Sequence, residues 1–239
     1  MYEKHPHFES PEPSATLWRY MDLSKLIALL NKNCLFFARA DTLGDPWEGA
    51  TSRANVILRS ELDAQTNLGY QRLGDLYRAS RKHTYISCWH ENSYESAAMW
   101  RLYLKSDEGI AIQTTFERLR DSIKTDKDVF IGRVRYYDPE TDKLPEGNVL
   151  RPYVFKRISF SHEQEVRAVV QASPPLGFDE EPLFECGLDV PIETDKLIEN
   201  VYIAPTSPAW LAEVVQAVLD RFQINRKVVH SSLADDPVF

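Results

Sequence analysis

Nine glycines and three cysteines in 239 residues leave little room for the motifs those residues usually build. No G-x-G-x-x-G, G-x-x-x-x-G-K-[ST] or G-x-S-x-G occurs, so Rossmann, P-loop and hydrolase-elbow mechanisms lack their signatures. Cys34, Cys88 and Cys186 are odd in number, far apart and without a C-x-x-C pair, which argues against a disulfide framework or a zinc clip. They read as reduced core residues. The six histidines show neither H-E-x-x-H nor a cysteine at ligand spacing, so no metal is expected. No apolar run approaches the length of a membrane span. The first twenty residues, with Glu3, His5, His7, Glu9 and Glu12, lack the apolar stretch of a signal peptide, and the expected location is the cytoplasm. Basic residues are short too: 28 against 36 acidic give a net charge of -8, which disfavours general binding to nucleic acid or anionic membrane. A local basic pocket for one small molecule or nucleotide remains open.

What is present is core material. A hydrophobic fraction of 43%, with five Trp, eleven Tyr and eleven Phe, suffices for a globular domain. We expect a loose Pro- and Glu-rich arm over residues 1–14, one domain over 15–233 and a tail from 234 to 239. Leu17-Trp18-Arg19-Tyr20-Met21 reads as a strand. Asp22 is placed to cap a helix carrying Leu23, Leu26, Ile27 and Leu30, and Leu35-Phe36-Phe37-Ala38 follows as a second strand. Pro46 is placed to open a helical region over residues 50–83, which Gly69 and Gly74 divide in two. Further strands are expected at 85–89, 110–113, 129–136, 163–171, 183–190, 201–204 and 227–230. A helix carries Ala97, Met99, Trp100, Tyr103 and Leu104, and another runs around 116–123. The clearest helix has Ser207 as its cap, with Trp210, Leu211, Val214, Val215, Val218, Leu219 and Phe222 on its inner stripe. The class is α+β, a mixed but mainly antiparallel central sheet with helices packed around it, opening strand, helix, strand.

Glu163-x-Glu165-x-Arg167 carries the most chemistry. Period-two geometry sets all three side chains on one side of a strand, with like charges about 7 Å apart. Arg167, Lys156, Arg157 or a ligand must compensate them, and close carboxylates have pKa values driven apart, from which acid and base roles arise. A solvated strand face with a cross-strand ion pair is the plainer alternative. In Gly44-Asp45-Pro46-Trp47-Glu48 the aspartate either caps the next helix or joins Trp47 and Glu48 at the rim of a cleft. Trp100 and Tyr103 share a helix face and follow a strand bearing Ser87 and Trp89; such aromatic stripes are more often core than site. Arg19 and Tyr20 are polar residues in an apolar strand, either exposed edge positions or site residues.

In this order the boxes resemble a bacterial domain-of-unknown-function family (DUF 2971). Its pattern runs Y-x-Y, a strand, N-D-P-[FW]-E, C-[FW]-S, M-W-x-x-Y, G-[IV]-x-[IL] and E-x-E-x-R. Leu17-Trp18-Arg19-Tyr20, Leu35-Phe36-Phe37-Ala38, Gly44-Asp45-Pro46-Trp47-Glu48, Ser87-Cys88-Trp89, Met99-Trp100-Arg101-Leu102-Tyr103, Gly109-Ile110-Ala111-Ile112 and Glu163-x-Glu165-x-Arg167 correspond. The match spans nearly the whole chain. Gly44 departs from Asn, and Arg101-Leu102 replaces a smaller pair. The family implies no activity. The opening order, the polar pair in the first strand and the late Glu are also similar to NAD-dependent ADP-ribosyltransferases. That resemblance implies NAD as the ligand, with Tyr20 or Arg19 holding the dinucleotide. It implies Trp100 or Trp47 stacking on a ring and Glu165 stabilising an oxocarbenium-like transition state. Three functions follow as expectations: a nucleotide-dependent transferase or glycohydrolase, a ligand-sensing or protein-binding module, or charges that serve only the fold.

Overall fold

The computed structural model describes residues 1–103, 108–172 and 181–239, and most of its strands grow from a short apolar or alternating run. β1 (Thr16–Asp22) leads through α1 (Leu23–Lys32) to β2 (Cys34–Arg39). Asp22 occupies the N-cap of α1 without a side-chain cap bond, and Asn33 ends the helix in the left-handed region at φ 50°. Pro46 lies in a turn rather than opening a helix. α2 (Arg53–Thr66) begins later, where the Ser52 hydroxyl accepts from the amide of Asn55, and α3 (Arg72–Ser80) follows. β3 (Thr84–Glu91), α4 (Ala97–Tyr103), β4 (Gly109–Thr115) and α5 (Phe116–Ser122) come next; Leu104 lies outside the described residues. The strand expected over 129–136 breaks at Val134 into β5 (Phe130–Arg133) and β6 (Arg135–Tyr137). A three-residue strand not foreseen in the sequence, β7 (Phe155–Arg157), runs parallel to β6. β8 (Glu165–Gln171), β9 (Gly187–Pro191), α6 (Thr194–Leu197), β10 (Asn200–Ile203), α7 (Ala209–Arg221) and β11 (Val228–His230) complete the chain.

The fold is α+β with a mainly antiparallel sheet, ordered β11-β10-β4-β1-β3-β2-β9, with β8 and β5 branching from β3. Alternation along the strands gives each face its own core. Leu17 and Met21 of β1 join Tyr85, Trp89, Val166 and Ala168 in a cluster that α1, α5 and α7 cover. Trp18 and Tyr20 of the same strand turn to the opposite face, against Met99, Trp100 and Ala111. On α7 the stripe that buries is Leu211, Val215 and Leu219; Trp210 and Val214, expected on it, are exposed. The helix starts one residue beyond expectation, with Pro208 rather than Ser207 at the N-cap. Residues 1–14, expected to be loose, lie against β5: Tyr2 bridges Val129, the Arg133 amide donates to the Glu9 carbonyl, and Phe8 is buried. Gly132 makes that approach feasible, since a Cβ there would sit 2.9 Å from the Phe8 backbone. All three cysteines are free, and Cys186 is exposed rather than core. Among the described residues no helix is long and apolar enough to cross a membrane.

Candidate functional site

β1 and β2 both meet the same edge of β3, at opposite ends. β1 pairs there only through Leu17–Glu91 and Trp18–His90, and β2 only through Ala38–Ile86 and Arg39–Tyr85. Each of the three is fully paired on its far side: β1 with β4, β3 with β8 and β2 with β9. Ser87, Cys88 and Trp89 therefore have no partner strand on the inner edge, and the sheet forks around them. α1 joins the two arms of the fork. The opening is a cavity of about 510 Å³, within the size range of small-ligand sites. Its lining includes Arg19, Tyr20, Phe36, Cys88, His90 and Tyr103, with the carboxylates of Glu163 and Glu165.

Arg19 reaches across the fork, donating to the Ser87 hydroxyl and, at 3.0 Å, to the Phe36 carbonyl, with its guanidinium 5.5 Å over the Trp89 ring. It forms no ion pair among the described residues. Burial lowers its pKa, and the ionisable neighbours nearest in effect are Cys88 and Tyr103. Burial raises both of those in turn, so both are neutral at pH 7. Arg19 is thus a partly desolvated cation without an ion-pair partner among the described residues, a state that a bound anion would relieve.

The acid cluster joins the Lys156 side chain of β7 to the Glu165 and Arg167 side chains of β8. Arg167, fully buried, donates through Nε to Glu165 Oε1 at 3.0 Å and through Nη2 to Glu165 Oε2 at 3.0 Å and Glu48 Oε1 at 2.7 Å; its Nη1 takes the Tyr153 carbonyl at 3.0 Å. Lys156 from β7 donates to Glu163 at 2.5 Å and Glu165 at 3.2 Å and lies 3.6 Å from Glu48. Three carboxylates share two cations, which leaves one net negative charge. Burial alone would raise the Glu165 carboxyl, but Arg167 and Lys156 outweigh it and hold the pKa at about 2. Burial likewise opposes the Lys156 ammonium, and Glu165 and Glu48 more than restore it. Glu163 differs. Burial raises its carboxyl against the Lys156 bond, and its Oε1 has no partner among the described residues.

Glu163 does not belong to the strand, as its alternation with Glu165 had suggested. It ends a 3-10 turn over Ile158–Glu163, and Gln164 takes the left-handed conformation at φ 40° before β8 begins. Glu163 and Glu165 nonetheless both line the cavity. The Glu163 carbonyl accepts from His90 Nδ1 at 2.6 Å, so this imidazole carries its proton on Nδ1; burial lowers its pKa.

The remaining expected site residues divide. Arg19, Tyr20, Tyr103, Glu163 and Glu165 line the cavity. Ser87 sits behind Arg19, and Lys156, Arg167 and Glu48 stand behind Glu165. Asp45 accepts from the Trp47 amide at 3.0 Å and pairs with Arg157 at 2.7 Å, and the Arg157 guanidinium stacks 5.5 Å over Trp47. Neither Asp45 nor Trp47 lines the fork. Trp100 is buried under Tyr20 at 4.9 Å, with its indole donating to Glu95 at 2.9 Å. Phe36, Cys88, Trp89 and His90 reach the cavity without having been singled out as ligand contacts. The unpaired stretch Ser87–Trp89 was readable only as a strand, because a fork is a property of pairing. Among the described residues no group of three or more His, Cys, Asp or Glu is arranged to hold a metal.

No protein-family model and no curated protein matches this chain, so the domain-of-unknown-function resemblance rests on its sequence boxes alone. Solved structures similar to it include two of one protein. Thermus sp. 2.9 DarT in complex with carba-NAD+ aligns at a TM-score of 0.41 and 11% identity, over 92% of this chain and 96% of that one. Thermus sp. 2.9 DarT in complex with ADP-ribosylated ssDNA aligns at 0.41 and 12%, over 93% and 95%. Likeness at that level speaks to neither site nor chemistry.

Proposed function

We propose that the fork binds a pyridine dinucleotide of the NAD type and that the chain cleaves its glycosyl bond, as a transferase or glycohydrolase. The carrying observation is the pairing of opposite, uncompensated charges on one cavity: Arg19 without a counter-ion and the Glu48, Glu163 and Glu165 cluster with one negative charge in excess. A ligand with an anionic diphosphate and a cationic pyridinium complements both. In this reading Arg19 holds the diphosphate. Glu165, ionised throughout the physiological range, stabilises the positive charge that develops on the ribose as the C1′–N bond breaks and nicotinamide leaves with the electron pair. Glu163, with a raised pKa and a free oxygen, accepts the proton of the attacking water or acceptor hydroxyl.

The test is nicotinamide release from NAD, followed chromatographically. Release by the wild type, reduced at least a hundredfold by Glu163→Gln with the melting temperature retained, is expected; the absence of both release and binding would remove the reading. A second reading, a binding module without turnover, draws support from Glu165, whose two oxygens are both engaged by Arg167. It predicts NAD binding with no nicotinamide formed.

A further inference from the structure

One aromatic residue on the cavity wall is held half in solvent. Phe36 is 46% exposed, although its neighbours Leu35 and Phe37 are fully buried on the other face of β2. A lone exposed phenylalanine is unremarkable on a protein surface. This one lines the fork, and its place depends on the strand beside it. In the β2–β9 ladder Phe36 lies opposite Asp189 and Ala38 opposite Gly187, so the ring leans diagonally over Gly187. A Cβ on Gly187 would stand 2.4 Å from Phe36 Cζ, 2.6 Å from the Phe37 carbonyl oxygen and 2.7 Å from Phe36 Cε2, and the glycine's φ is +147°. The absence of a side chain at 187 is what lets the ring occupy its position. The backbone beneath is also fixed, because the Phe36 carbonyl accepts from Arg19 Nη2 at 3.0 Å.

We infer that Phe36 is the stacking platform for the uncharged base of the ligand, a purine, and that Gly187 is its positioning residue. This rests on the dinucleotide reading of the fork. The two ends of the cavity differ in charge. Glu165 pairs in register with His90, where β1 closes the fork, and the excess negative charge there suits a pyridinium. Phe36 stands on the β2 arm, next to the cation that takes the diphosphate, and offers a neutral π-face at its mouth. An extended dinucleotide with its pyridinium at the acids and its phosphates at Arg19 carries its purine toward Phe36. Stacking on an aromatic face tolerates any flat base, and alanine substitution of such platforms weakens binding by about tenfold.

The experiment is calorimetric titration of the full chain with NAD and, separately, with nicotinamide mononucleotide, which lacks the adenosine half. Phe36→Ala should weaken NAD binding by about tenfold and leave nicotinamide mononucleotide unchanged. Gly187→Ala, which displaces the ring, should weaken NAD in the same sense. In the Phe36→Ala background the clash with the ring is gone and only the contact with the Phe37 carbonyl and the strain at φ +147° remain, so Gly187→Ala should cost NAD affinity less there than in the wild type. Should Gly187→Ala fail to fold, the contrast between the two ligands in Phe36→Ala decides alone. Equal NAD affinity in Phe36→Ala and wild type, or an equal loss for both ligands, would overturn the inference while leaving the dinucleotide reading intact. A wild type that binds neither ligand would remove that reading and the inference with it.

Discussion

Replacing Arg167 by Met retains volume and removes the cation at the centre of the acid cluster. Four hydrogen bonds disappear: two to Glu165, one to Glu48 and one to the Tyr153 carbonyl. Lys156 is then the sole cation facing three carboxylates, of which Glu48 and Glu165 are almost fully buried. Breaking a buried pair by deleting one partner costs about 3–5 kcal/mol, because the remaining charge has no water to replace its partner. For a chain of this size that corresponds to a fall of about 6–20 °C in melting temperature. Arg167→Lys restores the charge without the bidentate fork and should recover part of the loss. The assay is thermal and urea unfolding at pH 7 and again at pH 5, where protonation of the stranded carboxylates should narrow the gap between variant and wild type. A variant within about 1 kcal/mol of the wild type at pH 7 would refute the buried-cluster geometry.

Other outcomes follow from the same geometry. The Glu165 carboxyl, held at about 2 against an ordinary 4.5, adds stability that is fully present above pH 4.5 and is lost as pH falls toward 2. The contribution is of the order of 3 kcal/mol. Glu163, shifted upward, works in the opposite sense, so the comparison is wild type against Glu165→Gln by acid unfolding; their difference should shrink below pH 4.5, and a constant difference would contradict the shift. Arg19→Met removes a partly desolvated cation with no ion pair among the described residues and should leave the melting temperature unchanged or raised; a drop of several degrees would mean that Arg19 is chiefly structural. Gly132→Ala drives a methyl into the Phe8 backbone and should cost about 1–3 kcal/mol. Limited proteolysis would then cut within residues 1–14 faster than in the wild type, and equal rates would contradict the packing of that segment.

Periodicity carried much of the fold. Alternation of Leu17 and Met21 against Trp18 and Tyr20 already separates the two faces of β1, and the α1 stripe of Leu26 and Leu30 is readable as core. Local signals failed where long-range contacts decide. Gln164 looks like one more residue of an alternating strand, yet its left-handed backbone ends the alternation and gives Glu163 and Glu165 different environments. Lys156 lies in a three-residue strand too short to leave a periodic trace, and it is the cation that joins Glu163 to Glu165. Residues 1–14 have the composition of a loose arm, but their backbone bonds to β5 and one buried phenylalanine hold them. Two aromatic residues expected at the ligand, Trp47 and Trp100, are tied to Arg157 and Glu95 instead, while Phe36, ordinary in sequence, stands on the cavity.

The central claim is that the forked sheet presents an unpaired arginine and an acid cluster to one zwitterionic ligand. Titrating wild type and Arg19→Met with NAD in a calorimeter tests it most directly. Saturable binding by the wild type, weakened at least tenfold in a variant that melts no lower, is the predicted result. Equal affinity in the two proteins, or no binding by the folded wild type, would contradict it.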